Sequence, residues 1–453
     1  MRPAIPSGRR LVYASILLFV LALGIRLSVV LDTEVIAPVR ADAADYVAYA
    51  YNLEQHGVYS REPTFFVGNA PERPDAVRSP LYPLFLTLFL DDPVETGDLL
   101  NVLIAQAFLG AATALLTFRV FLGLLGPRWS FAAGMLVALS PRLASTNTYL
   151  LTETLFTFLL IASLGLVARA HRMRSGSWAA GGGIGFALAA LTRPVLQYAF
   201  LPVAAVWAWL LPRGRRALLP TVFLLGFVIA FAPWPIRNEL AAPEGGGSQL
   251  LINTLHHGMY PGFEYQGDPR THGFPYAFDP RSDAISQSLG NVLGEIGRRF
   301  QEAPLKHLHW FLIGKPIALF SWDIVNGAGD IYIYPVRASP YRDSALFSAV
   351  HSFFHQIHWL AVILAVLGGL FVSLPGRLTG VPAERAFAGR IAVAVILYFV
   401  AVHIAGAPFP RYAIPLTPLV FALALLPLRS AVLIGWAAWQ QRSRGPEAST
   451  RAT

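Results

Sequence analysis

An all-α polytopic membrane protein is the fold class this chain predicts, and three observations carry it. Hydrophobic residues make up 55% of the 453 residues and charged residues only 13%, against roughly 25% charge in a soluble domain. The apolar residues fall into runs long enough to cross a bilayer, about 20 residues each with a range of roughly 17–25. The arginines gather in short clusters between those runs, the pattern of an oriented membrane protein. The net charge of +9 is therefore read as topology, and no nucleic-acid partner is expected.

The run at 11–32 follows Arg9-Arg10 and resembles a signal sequence. It is too long for one and lacks a small-residue cleavage site, so a retained first helix is expected. Further clear spans are 100–124, 150–168, 193–212, 218–235, 346–374, 391–407 and 413–437; shorter or glycine-rich ones are 130–143 and 177–192. Ten spans put both termini on one side. Arg2/Arg9/Arg10, Arg128, Arg169/Arg172/Arg174, Arg213/Arg215/Arg216, Arg377/Arg385/Arg390 and Arg442/Arg444 then share a face, which the charge rule makes cytoplasmic. The other face receives the loop 33–98, the turn 144–149, the long segment 236–345 and the turn 408–412. The apolar stretches 79–90 and 305–322 are expected as interfacial or partly re-entrant helices. Gly181-Gly182-Gly183 reads as close helix packing. The expected organisation is one transmembrane unit over 1–440 and a disordered cytoplasmic tail at 441–453. No internal repeat appears, which weakens a transporter built from duplicated halves.

Zero cysteines exclude disulfides, thiolate metal sites and cysteine nucleophiles. No nucleotide-binding segment is visible. The chemistry-bearing residues concentrate instead on the non-cytoplasmic face. Asp42 and Tyr46 are four apart, so a helical turn puts them on one face, and Asp45 lies in the same turn. Arg40 stands close enough in sequence to keep a carboxylate ionised, as a general base requires. In Arg78-Ser79-Pro80-Leu81-Tyr82-Pro83 the prolines restrict the backbone, and the guanidinium fork suits a phosphate. Glu153 sits at the hydrocarbon edge, where an acid is costly and marks function. Arg193, Arg237 with Asn238, and Arg411 with Tyr412 lie at span ends on the same face. His256 and His257 lie in the long loop. His351, His355 and His358 form a helical stripe, read as interfacial in preference to metal-binding.

The ordered set resembles a known family. Asp42…Tyr46…Asn52-Leu53…Gly57, Arg78-Ser79-Pro80-Leu81-Tyr82-Pro83, Thr152-Glu153, Leu191-Thr192-Arg193-Pro194, Pro233-Trp234-Pro235-Ile236-Arg237-Asn238, Asn253-Thr254…Gly258 and Arg411-Tyr412…Pro415 are similar to the bacterial GT-C glycosyltransferases related to protein O-mannosyltransferases and lipid A aminoarabinose transferases. The resemblance covers roughly 10–420. It implies a GT-C-type bundle of about ten helices in the bacterial cytoplasmic (inner) membrane, with its site on the periplasmic or extracellular face. It also implies an inverting transfer of a monosaccharide from a polyprenyl-phosphate donor. Asp42 matches the first acid of the family's pair; the second is replaced by Ala43, with Asp45 three residues after Asp42. Asp42 and Asp45 are thus the expected catalytic residues, and Arg78, Arg193, Arg237 and Arg411 the grip on the donor phosphate. Tyr46, Tyr82, Glu153, Asn238, His256, His257 and Tyr412 are the candidate substrate contacts. No cofactor is assigned, and a divalent metal stays open. The partners expected are the polyprenyl-phosphate sugar, membrane lipid and an acceptor that is a lipid, glycan or protein. The alternatives are a polyprenyl-linked glycan ligase and a lipid or solute transporter.

Overall fold

The computed structural model describes residues 8–64, 69–91, 94–211, 217–242 and 247–443. Arg2, Arg213, Arg215, Arg216, Arg444 and the tail from 444 lie outside them.

Among the described residues, ten apolar helices stand where ten spans are expected, and seven helical segments are long and apolar enough to cross a membrane. The first helix, α1, is Gly8–Asp32. A polar segment follows, with α2 (Asp42–His56) and the short α3 (Leu81–Leu86). Helix α4 (Thr96–Leu125) opens on a capping box in which Glu95 and Asp98 satisfy each other's backbone donors. It ends at Gly126, whose φ of 77° permits a sharp reversal, and Pro127 starts α5 (Pro127–Leu139) at its first position. Next come α6 (Pro141–Ser145), α7 (Glu153–Met173), α8 (Gly176–Thr192), α9 (Phe200–Leu210), α10 (Leu218–Phe231) and α11 (Pro233–Ala241).

The long segment after α11 folds from short pieces: α12 (Gly247–Gly258), α13 (Ser282–Ser286), α14 (Leu289–Glu302), α15 (Pro304–His309), α16 (Lys315–Leu319) and α17 (Pro340–Asp343). A π-helical turn, Trp310–Gly314, joins α15 to α16. The chain closes with α18 (Ala345–Ser373), α19 (Gly376–Thr379), α20 (Ala383–Ala405), α21 (Pro410–Ala413) and α22 (Thr417–Ser443). Thus helix continues into 441–443, where a disordered tail is expected from sequence. Two short strands, β1 (Glu34–Val35) and β2 (Val336–Ala338), pair antiparallel and tie the first loop to the second.

Helix α4 packs against α1, α5, α7, α20 and α22. Helices α8 and α10 approach closely, because a Cβ on Gly183 would come within 2.0 Å of the Phe223 carbonyl oxygen, and α18 and α22 do the same at Gly368 and the Leu423 carbonyl. The glycine run therefore does serve helix packing. One apolar core joins α7, α8, α9, α10, α20 and α22; a second lies under the two loops, around Tyr46, Tyr82, Tyr149 and Tyr334.

The turn 144–149 lies inside the fold: residues 141–152 are buried throughout, with Ser145 donating to the Ile331 carbonyl and Tyr149 to that of Tyr334. One arginine also lies within a spanning helix. Arg26, 1% exposed inside α1, donates to the carbonyls of Val137 and Ala138 at 3.0 Å each. It closes the C-terminus of α5, where carbonyls lack intrahelical donors and a cation is favoured.

A candidate active site of alternating carboxylates and guanidiniums

Six side chains from five parts of the sequence form a continuous chain of ion pairs. Asp45 Oδ2 accepts from Arg78 Nε and Nη2 at 2.9 and 2.8 Å. The same Arg78 Nη2 reaches Asp42 Oδ1 at 2.6 Å. Asp42 Oδ2 accepts from Arg411 Nη1 at 3.0 Å. Arg411 Nε reaches Glu153 Oε1 at 2.5 Å, and Arg193 Nη1 reaches that oxygen at 2.9 Å. Three carboxylates thus meet three guanidiniums.

Local structure places each member. Asp42 and Asp45 occupy the first turn of α2, where a negative charge is stabilised by the helix dipole, and their spacing puts both on one face. Ala41, just before, has φ 46° and ψ −124°, a conformation an L residue rarely takes. Helix α2 ends at Gly57 in the left-handed region, and the Asn52 side chain donates to the Ser60 and Glu62 carbonyls at 2.8 Å each. This closes the loop that carries Arg78 back over α2. Glu153 is the first residue of α7 and is fully buried. Arg193 follows the last residue of α8, and Arg411 lies in α21.

Aromatic rings wall the network. The Arg78 guanidinium lies 5.6 Å from the Tyr46 ring, and that of Arg193 5.1 Å from the Tyr412 ring, both within cation–π range. Tyr46 meets Tyr82 edge to face at 5.1 Å. The Tyr82 hydroxyl donates to Gln106 Oε1 at 3.0 Å, and Gln106 Nε2 in turn donates to the carbonyls of Tyr149 and Asn147 at 2.9 and 3.2 Å.

Burial opposes the charge on Asp42, but the Coulomb fields and hydrogen bonds of Arg411 and Arg78 override it and hold the carboxyl at about 2. For Arg78 burial again works against the charge, and Asp42, Tyr46 and Asp45 together raise its pKa. Tyr46 is pushed up to about 12 by burial and then by Asp42. At neutral pH the centre thus holds an ionised Asp42, a charged Arg78 and a neutral tyrosine.

Of the residues singled out from sequence, Asp42, Asp45, Arg78, Glu153, Arg193, Arg411, Tyr46, Tyr82 and Tyr412 converge here. The others do not. Arg237 Nη1 donates to the Asp75 carbonyl at 2.7 Å, and the guanidinium lies 5.3 Å from both the Tyr59 and Trp234 rings. It fastens the first loop to α11, and Asn238 accepts from it at 3.2 Å. His256 Nε2 pairs with the Tyr260 hydroxyl at 3.1 Å, and His257 Nε2 with the Gly273 carbonyl at 2.9 Å; both are buried in the second loop. Arg40 does not hold Asp42 either: its guanidinium lies 5.6 Å from the Tyr334 ring.

His351, His355 and His358 each set an edge against Trp322, at 5.5, 5.2 and 5.3 Å. Among the described residues no group of three or more histidines and carboxylates is arranged to hold a metal. The carboxylates of the network already face guanidiniums, a donor set that does not fit a divalent cation. Tyr334, whose hydroxyl accepts from the Ala43 N–H at 3.4 Å, and Gln106 escaped the sequence reading. Neither stands in a motif or carries a charge.

The helices define an all-α polytopic membrane protein, and its candidate site is a half-buried network of arginines and carboxylates around the fully buried Glu153. Residues 77–236 match the family model for dolichyl-phosphate-mannose-protein mannosyltransferase. That match agrees with the resemblance to the GT-C membrane glycosyltransferases read from the motif order. Among solved structures, the chain is similar to the archaeal oligosaccharyltransferase AglB from Archaeoglobus fulgidus in complex with an inhibitory peptide and a dolichol-phosphate (14% identity, 95% of this chain and 52% of that one, TM-score 0.49). It is also similar to that organism's oligosaccharyltransferase tethered to an acceptor peptide (13%, 92% and 49%, TM-score 0.46) and to ArnT from Cupriavidus metallidurans bound to undecaprenyl phosphate (14%, 92% and 77%, TM-score 0.41). The chain spans about half the length of the chains in these two archaeal structures. No curated protein matches it.

Proposed function

We propose that the protein is an inverting glycosyltransferase that moves a monosaccharide from a polyprenyl-phosphate donor to a lipid, glycan or protein acceptor on the outer face of the cytoplasmic membrane. The observation that carries this reading is Asp42 held between Arg78 and Arg411. A carboxylate flanked by two guanidiniums, all three half-buried, supplies the parts that displacement of a lipid phosphate requires. The family match over 77–236 supports the same chemistry.

Arg78 and Arg411 receive the donor's phosphodiester, since a guanidinium fork matches phosphate oxygens. They leave Asp42 to do so, and the phosphate takes its place between them. Asp42, released from the charges that held its carboxyl at about 2, regains basicity and accepts the proton of the acceptor's hydroxyl or amine. The acceptor atom forms its bond to the anomeric carbon as the carbon–oxygen bond to phosphate breaks. The electron pair leaves on polyprenyl phosphate, where the arginines meet the growing charge. Attack opposite the leaving group inverts the anomeric centre. Glu153 and Arg193 orient Arg411 throughout, and Asp45 orients Arg78.

The test is incubation of purified protein with a panel of polyprenyl-phosphate sugars, following release of polyprenyl phosphate. Release by the wild type and its loss in Asp42→Asn are expected. Equal release by a folded Asp42→Asn protein would refute the assignment. Thiol labelling of single cysteines placed beside Asp42 and Arg78 tests the topology, and access only from outside the cell is expected.

A further inference from the structure

A second cationic pocket lies beside the network and outside the proposed chemistry. Arg142, in α6, is 5% exposed. Its Nη2 donates to the Pro410 carbonyl at 3.1 Å, and its Nε has no hydrogen-bond partner among the described residues. None of the ion pairs among the described residues includes it. The nearby acids Asp323 and Asp330 act on it only through space, and Asp330 is already bound by Trp322 Nε1 at 2.6 Å and by His351 at 2.9 Å. The Trp322 ring, 5.8 Å away, offsets part of the charge. A buried guanidinium met directly by one carbonyl and one ring, with its acids only at a distance, is under-compensated, which is costly.

Arg142 lines a pocket of ≈ 30 Å³, room for a small polar group. Trp322 stands on one side. On the others, Ile357, Ala361 and Val362 of α18 face Thr417 of α22. These four are half-buried, so the pocket has an apolar mouth at the seam between two membrane-spanning helices.

We propose that this pocket binds the phosphate of a membrane lipid, with Arg142 as its counter-charge and the lipid's chain leaving through the α18–α22 seam. The buried, underpartnered cation calls for an anion, and the apolar mouth calls for one that carries a hydrocarbon tail. Arg142 also holds the carbonyl of Pro410, the residue before Arg411. The occupant therefore sits against the segment that positions Arg411.

The test uses the full-length protein, delipidated in detergent. Retained lipid is counted by native mass spectrometry after addition of phosphatidylglycerol, phosphatidylcholine or inorganic phosphate, and thermal unfolding is followed in parallel. The wild type should retain phosphatidylglycerol and be stabilised by it, with inorganic phosphate at the same concentration having little effect. Phosphatidylcholine, with no net charge, should be held less. Arg142→Gln should weaken phosphatidylglycerol retention about tenfold, the scale of one charge-assisted contact, and Arg142→Lys should restore most of it. Val362→Trp, which fills the mouth and keeps the arginine, should abolish retention even if Arg142→Gln does not fold. Equal retention by Arg142→Gln or by Val362→Trp, or equal effects from phosphatidylcholine or from phosphate alone, would overturn the proposal.

Discussion

Arg411 lies 3.0 Å from Asp42, a residue 369 positions earlier in the chain, and the same guanidinium holds the buried Glu153. One cation thus joins the first loop, the start of α7 and the start of the last spanning helix. Any change at this junction acts on both the proposed chemistry and the packing, and substitutions can separate the two.

Asp42→Asn keeps the shape of the side chain and removes its charge. Turnover should fall by at least about a hundredfold, the usual scale for losing a general base, with little change in circular dichroism. Donor-dependent release of polyprenyl phosphate measures it.

Arg411→Gln should destabilise the protein by about 3 kcal/mol or more, because it takes one of two cations from the fully buried Glu153. The double variant Arg411→Gln/Glu153→Gln should recover much of that stability, with activity still absent. Unfolding midpoints in detergent decide it; no recovery in the double variant would mean that Glu153 is not the source of the loss.

Arg78→Gln and Arg237→Gln should differ in kind. The first removes a guanidinium from between Asp42 and Asp45, and the KM for a polyprenyl-phosphate sugar should rise at least about tenfold. The second should leave that KM unchanged and raise hydrogen exchange around Tyr59 and Asp75, the residues whose carbonyls Arg237 holds.

The second loop should loosen in acid. Burial holds His257 down at about 4, so the imidazole is neutral in the fold and charges more readily in the unfolded chain. Its contribution is complete above about 6.5 and is lost as pH falls toward 4. Hydrogen exchange across 247–309 should quicken over that window, and His257→Gln should flatten the dependence.

Gly183→Ala should cost about 1–3 kcal/mol by overpacking, because the added methyl meets the Phe223 backbone and no movable side chain end. Gly181→Ala, whose nearest neighbour is the Leu166 side chain at 3.9 Å, should be nearly silent. Thermal unfolding of the pair gives a direct comparison.

Much of this was legible without coordinates. Bilayer thickness imposes a length on apolar runs, so the helices stand close to their expected places. The helical period puts Asp42 and Tyr46 on one face, and the glycine run announces a close approach. Arg78 was readable because prolines fix the backbone beside it. Arg237 looked equivalent, sitting at a span end among prolines, yet it serves the packing of a loop. His256 and His257 misled in the same way: a histidine that bonds a tyrosine or a carbonyl has the same one-letter code as one that faces a substrate.

By itself the sequence determined a helical membrane protein with arginine clusters between its apolar runs and a separate set of acids and arginines in its longer polar loops and at span ends, because hydrophobic length and charge placement are local properties. Which arginine meets which carboxylate was decided only by tertiary structure. Pairings between residues as distant as Asp42 and Arg411 depend on how α2, α7, α8 and α21 pack. The same is true of Arg142: in the chain it sits in an ordinary Ser-Pro-Arg step, and only the burial imposed by the loops and the last helices leaves its charge so little met.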